Sequence, residues 1–143
     1  MRFGSNEYLQ KVKEITNSDE KYEQMVKNED ATYTFIIEPE PEKGVKDGIV
    51  LGYSMKNGKM VDIWPGERET DFVISGSYGV WVDLVTGRMG VTSAFLQRKL
   101  RIRGEFSRIL KLSKPTEYWI KLLRKIPTEF DGVYSKFNIG GES

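Results

Sequence analysis

Asp71-Phe72-Val73-Ile74-Ser75-Gly76-Ser77-Tyr78-Gly79-Val80-Trp81-Val82-Asp83-Leu84-Val85-Thr86-Gly87 changes its period halfway along. Asp71 to Ser75 is short and rich in β-branched and aromatic residues, which predicts a strand. Gly76-Ser77 then opens a helix whose Val80, Trp81, Leu84 and Val85 share one face, and Gly87 is a natural helix end. The alternation repeats downstream. Val91 to Gln97 predicts a short helix holding Ala94 and Phe95. Lys99 to Arg103 puts Leu100 and Ile102 on one side and three cations on the other, a strand with one wet face. Glu105 to Leu112 returns to helix with Phe106, Ile109 and Leu110, and Lys114-Pro115 is expected to break it. Thr116 to Ile126 predicts a last helix with Trp119, Leu122, Leu123 and Ile126 on one stripe.

Working outward to the N-terminus, the first thirty residues read helical, with Ser5 as a cap and Asn17 followed by Glu20 as a second helix start. Ala31 to Glu38 predicts a strand, stopped by the Pro39 and Pro41 pair. A second strand follows over roughly Lys46 to Met55. Asn57-Gly58 accepts the positive φ angles of a type I′ turn and predicts a tight hairpin. The third strand, Met60 to Trp64, is expected to put Val61 and Ile63 on one face. The fold class is therefore α/β in the α+β sense. Five strands are expected, mostly antiparallel where tight loops join neighbours, with helices that bury one face each lying on the sheet. The expected organisation is one domain over residues 1–127 and a flexible tail over 128–143, where Gly132, Gly140 and Gly141 lie.

Composition limits the chemistry. With 143 residues the chain supports one core and hardly two. It contains no cysteine and no histidine, which removes disulfides, thiolate nucleophiles, the usual zinc sites and imidazole-based triads. Glu67, Glu69 and Asp71 cluster near a turn, where a polar loop is a simpler reading than a metal site. The N-terminus lacks the apolar run of a signal peptide and no stretch reaches membrane-helix length, so a cytoplasmic location is expected. Net charge is only +1, but it is unevenly spread. Met1 to Val50 carries seven Lys or Arg against eleven Asp or Glu, whereas Arg98 to Lys114 carries seven against one. That basic edge could meet an anionic head group or a membrane. Nucleic acid is disfavoured, because the residues between the cations (Leu100, Ile102 and Phe106) are expected to face the core rather than stack on bases.

Several segments together resemble the sterol-carrier-protein type 2 family. They are Asp71 through Tyr78, Gly87-Arg88-Met89, Ala94-Phe95, and Lys99-Leu100-Arg101-Ile102-Arg103-Gly104-Glu105. Two positions depart from the family pattern: Arg98 stands where glycine is usual, and Glu105 where Asp is usual. The resemblance implies a five-stranded, mostly antiparallel sheet covered on one face by helices, and an apolar tunnel between sheet and helices that takes a fatty acid, acyl-CoA or sterol, with no catalytic residues and no cofactor. A dry apolar void of about 300 Å³ would cost ~7 kcal/mol at roughly 24 cal/mol per Å³. Such a tunnel must therefore be filled by lipid or be covered by helices that move.

The residues expected to line it are Phe72, Ile74, Val80, Leu84, Phe95, Ile102, Phe106 and Ile109, with Trp119 and Leu122 as a lid. Ordinary core packing is the competing reading for each. Arg98, Arg101 and Arg103 are the candidates for an anionic head group, against the alternative of a solvated strand face. The competing function is a non-catalytic interaction or dimerisation module with a closed core, in which the Trp119 face would pair two copies.

Overall fold

The computed structural model describes residues 1–140, apart from the side chain of Phe106. Helices α1 (Asn6–Asn17) and α2 (Glu20–Met25) precede the strands β1 (Ala31–Glu38), β2 (Ile49–Lys56), β3 (Lys59–Pro65) and β4 (Phe72–Ser77). Helices α3 (Tyr78–Val85) and α4 (Val91–Leu96), strand β5 (Leu100–Arg103) and helices α5 (Phe106–Lys111) and α6 (Ser113–Leu123) follow, and short 3-10 helices lie at Pro41–Lys43 and Gly132–Phe137. The five strands form one sheet in the order β3-β2-β1-β4-β5. Every neighbouring pair is antiparallel except β1 and β4, which run parallel. Among the described residues, no helix is long and apolar enough to cross a membrane.

Local chemistry explains several element ends. The Ser5 hydroxyl accepts the Tyr8 N–H at 3.1 Å and starts α1. The second helix begins at Asp19, whose carboxylate accepts the Tyr22 N–H at 2.8 Å, and not at Asn17 as expected. Asn17 instead ends α1, and its side-chain amide accepts the Met60 N–H at 2.7 Å and donates to the Met60 carbonyl at 2.9 Å. This pair of bonds pins α1 across β3. Asn57 and Gly58 both have positive φ, as a type I′ turn requires. Pro115 does not break a helix. It lies in the first turn of α6, where its missing N–H leaves no bond unmade.

The face of β3 differs from the simple alternation. The register shifts between Ser54 and Met55, where Met55 pairs with Met60 and Ser54 with Asp62. Val61 is the extra residue of this bulge, and it is 48% exposed. The irregularity allows Met60 and Ile63, three positions apart, both to be buried in the core. That core is formed by Phe35, Ile37, Leu51, Tyr53 and Met55 from the sheet and by Leu9, Val12, Trp81, Leu84, Trp119 and Leu123 from the helices over it.

The described part of the tail is docked, against the expectation of a free segment from residue 128. Thr128 bridges to Ile139, and Arg2 bridges to Glu129. Phe130 meets the Phe3 ring edge-on at 5.3 Å, and the Asp131 N–H donates to the Tyr78 hydroxyl at 2.9 Å. The Tyr134 hydroxyl donates to Glu40 at 2.7 Å, and the other oxygen of that carboxylate accepts the Gly79 N–H at 2.6 Å. Burial pushes the Glu40 carboxyl up, but these two hydrogen bonds and the neighbouring Lys43 ammonium outweigh it and hold it below its ordinary value. Aromatic anchors without helix or strand period give such a segment no signature in sequence. Gly141, the last glycine expected there, lies outside the described residues.

Candidate functional site

Beyond Trp119 the helices no longer close onto the sheet. They leave an apolar cavity of about 240 Å³, open on one side. Its floor is an aromatic row across three strands. Tyr53, Tyr33 and Phe72 occupy paired positions on β2, β1 and β4, and their rings stack at 4.8 and 5.4 Å between centroids. Phe35 on β1 stacks on Trp81 of α3 at 5.0 Å and forms the inner end. Ile74 of β4, Leu100 and Ile102 of β5, and Leu84 of α3 continue the wall. Val91, Thr92, Phe95 and Leu96 of α4, Ile109 and Leu110 of α5, then Leu112, Ser113, Thr116 and Ile120 form the outer side.

Phe72 also explains a glycine. Gly104 has φ +146°, and a Cβ there would come within 2.3 Å of the Phe72 ring. Only glycine lets β5 leave the sheet so close to the floor of the cavity. Asp71, considered above as a metal ligand, serves β1: its carboxylate accepts the Thr32 N–H at 2.9 Å.

The lining carries no charged side chain. Among the described residues its titratable groups are phenols. Burial pushes the Tyr33 hydroxyl up to about 12, and burial raises Tyr53 as well. Both remain neutral and protonated at physiological pH, and the other polar groups of the lining are the hydroxyls of Thr92, Ser113 and Thr116, so the lining residues carry no fixed charge. An interior of this kind can select for shape and apolar surface and can do little else.

Six of the residues anticipated as lining come together here: Phe72, Ile74, Leu84, Phe95, Ile102 and Ile109. Val80 does not: it lies about 100° round α3 from Trp81 and packs, partly buried, against the core instead. The side chain of Phe106 lies outside the described residues. Trp119 and Leu122 are not over the mouth. Ser113, Thr116 and Ile120 form the cavity stripe of α6, at i, i+3 and i+7, and Trp119 and Leu123 form the next stripe. Trp119 and Leu122 are both buried in the core. The Trp119 ring stands against Phe35 at 5.7 Å and Tyr53 at 5.2 Å, as a partition behind the cavity. Its indole N–H donates to Thr16 Oγ1 at 2.9 Å. On the far side only about 30 Å³ is open, beneath α1.

The three arginines are separated from the cavity. Leu100 and Ile102 face inward, so strand alternation turns Arg101 and Arg103 to the opposite face of the sheet, where Arg101 pairs with Glu38. Arg98 is in the turn before β5 with φ +60°, a left-handed conformation that glycine takes freely and arginine does not. This is the position where the resemblance leads one to expect glycine. Sequence reasoning missed Tyr33, Tyr53 and Trp81 on the floor and Thr116 and Ile120 on α6. The cross-strand register of the three aromatic positions is the signal that could have found the first two.

Three comparisons place this architecture. Residues 9–117 match the SCP-2 sterol transfer family. Hydroxysteroid dehydrogenase-like protein 2 of Xenopus tropicalis is 35% identical over 94 residues, which are 64% of this chain and 21% of that protein. The chain thus spans about a fifth of the length of the curated relative it matches. A crystal structure of sterol carrier protein 2 superposes with a TM-score of 0.79 at 20% identity, covering 87% of this chain and 99% of that one. The solution structure of sterol carrier protein-2 from Aedes aegypti, in complex with the C16 fatty acid palmitate, gives a TM-score of 0.55 at 18% identity and covers 85% of this chain and 98% of that one. The match over most of its length shows that this chain belongs to the SCP-2 sterol transfer family.

Proposed function

We propose that this protein binds a long-chain fatty acid or fatty acyl ester, including acyl-CoA, in the cavity between sheet and helices and carries it through water. The observation that supports this most directly is the cavity itself: about 240 Å³, mainly apolar, lined by uncharged side chains, and open on one side. A dry void of that size would cost ~6 kcal/mol at roughly 24 cal/mol per Å³. A hydrocarbon chain reverses the sign of the effect, contributing about 0.8 kcal/mol per buried methylene. Ten methylenes give about 8 kcal/mol, from which at least about 4 kcal/mol for lost translational and rotational freedom must be subtracted. Short chains therefore gain no useful affinity, and the preference for long ones is built into the arithmetic. The lining offers no cation, so the polar end of the ligand stays at the mouth in water. The relative solved with palmitate agrees with this ligand class. The mechanism is partition and the role is non-catalytic.

The test is titration with a fluorescent long-chain fatty acid, displacement by palmitate and by a sterol, and native mass spectrometry of gently purified protein. Saturable binding is expected, with one ligand per chain. Ile102→Trp, which fills the cavity from β5, should abolish it while the protein remains folded. Absence of any saturable binding to the wild type, or full binding to a folded Ile102→Trp, would falsify the reading.

A further inference from the structure

The outer side of the cavity exposes apolar surface where a soluble protein would usually bury it. Leu96, at the end of α4, is 73% exposed, and Leu110 of α5 is 58% exposed. Both also line the cavity, so they stand on its rim. The same turns carry cations. Arg98 and Lys99 follow Leu96, Lys111 follows Leu110, and Lys114 follows Ser113, another exposed lining residue. Among the described residues none of these four cations enters an ion pair, although seven ion pairs occur elsewhere on the surface. Glu117, the acidic group nearest in sequence on α6, is committed to the N-terminus of α4, where it accepts the Thr92 N–H at 3.1 Å. Arg98, moreover, is held at positive φ, a strained choice for a side chain that contacts nothing acidic.

We infer that this rim is the face the protein lays on an anionic lipid surface, with Leu96 and Leu110 entering the acyl boundary and Arg98, Lys99, Lys111 and Lys114 meeting the head groups. Charge decides between the available partners. A second copy docked through the same leucines would set four cations against four cations, whereas an anionic bilayer complements them. Each basic residue near such a surface increases partitioning about fivefold. A contact here turns the cavity mouth toward the membrane, so that a chain can pass between the two without crossing water. The purpose of the contact rests on the lipid-binding reading above, but the contact itself is measured separately.

The experiment is co-sedimentation of the full chain with vesicles of phosphatidylcholine, with and without phosphatidylserine, at rising salt. The wild type should bind the anionic vesicles only and dissociate as salt rises. Reversing Lys99, Lys111 and Lys114 to Glu should weaken binding at least about hundredfold. Solution titration with fatty acid should be unchanged in that variant, because none of the three lines the cavity. Leu96→Ser with Leu110→Ser, which removes apolar surface and adds no charge, should weaken vesicle binding at every salt concentration. A control with Lys27, Lys46 and Lys56 reversed to Glu carries the same net charge and should bind vesicles like the wild type. The inference is overturned if the wild type ignores anionic vesicles, if the rim variant binds as before, or if the control loses as much. It is also overturned if light scattering finds a dimer that Leu96→Ser with Leu110→Ser dissolves. A wild type that binds vesicles but takes up no fatty acid would sink the carrier reading and leave this contact standing.

Discussion

The two ends of the covered sheet face are built from the same materials to opposite effect. At the β3 end, α1 lies across the sheet, Asn17 is bonded to Met60 on both sides, and only about 30 Å³ is left open. At the β5 end, two helices of six residues each stand off the sheet over about 240 Å³. Trp119 is the boundary between them. What differs is how firmly the covering helix is bonded, not how apolar the residues are. At the closed end a helix side chain is bonded directly to a strand, whereas at the open end, among the described residues, no side chain of α4 or α5 is hydrogen-bonded to a strand and Arg108 of α5 reaches only the Asp30 carbonyl before β1 at 2.7 Å.

That contrast can be broken most sharply at its boundary. Trp119→Ala removes a buried ring and the partner of Thr16, and should cost about 3–5 kcal/mol in urea unfolding. Leu110→Ala, at the open rim, should change stability by less than about 0.5 kcal/mol. Similar losses for the two would mean the ends are equally packed. Added volume sharpens the same point. Val12→Trp in the closed end should destabilise by about 1–3 kcal/mol or more, whereas Ile102→Trp finds room in the open end and should stay within about 1 kcal/mol of the wild type.

A smaller effect concerns the clamp that docks the segment after Thr128. The folded-state pKa of Glu40 is depressed, so its contribution is present above the unfolded carboxyl value of about 4.3 and is lost as pH falls through the folded value. Glu40→Ala leaves the Gly79 N–H and the Tyr134 hydroxyl without their acceptor and should cost about 1–2 kcal/mol at neutral pH. The acid-side slope of stability against pH should flatten in that variant, and an unchanged slope would show that the carboxylate does not matter there. Last and smallest, Arg98→Gly relieves a left-handed residue and should raise stability by about 0.5–1 kcal/mol, read as a higher Tm.

The sequence shows the elements far better than it shows the space between them. Strand alternation, the Asn57-Gly58 turn and the Ser5 cap are local events, decided within a few residues, and they hold in the structure. The ordered segments from Asp71 to Glu105 were enough for the family. The β3 face was misread at Val61 because a bulge depends on the partner strand. The docked segment after Thr128 was missed because its anchors, Phe130 and Tyr134, gain meaning only beside Phe3 and Glu40, distant in the chain. Of the anticipated site, six lining residues on β4, α3, α4, β5 and α5 converge. The helix α6 was given the wrong stripe, because Trp119, Leu122 and Leu123 are its greasiest residues and therefore its most buried. The cavity falls to the milder Thr116 and Ile120 beside them.

The indole of Trp119 hangs from Thr16, whose own hydroxyl donates to the Val12 carbonyl one turn earlier in α1. The partition that backs the inner wall of the open chamber is thereby fastened to the first helix of the chain. A guest pressing on that wall would be felt as a tightening of a helix it never touches. Amide exchange in α1 should slow when the chamber fills, so the N-terminal helix can report occupancy without any probe placed in the ligand's path.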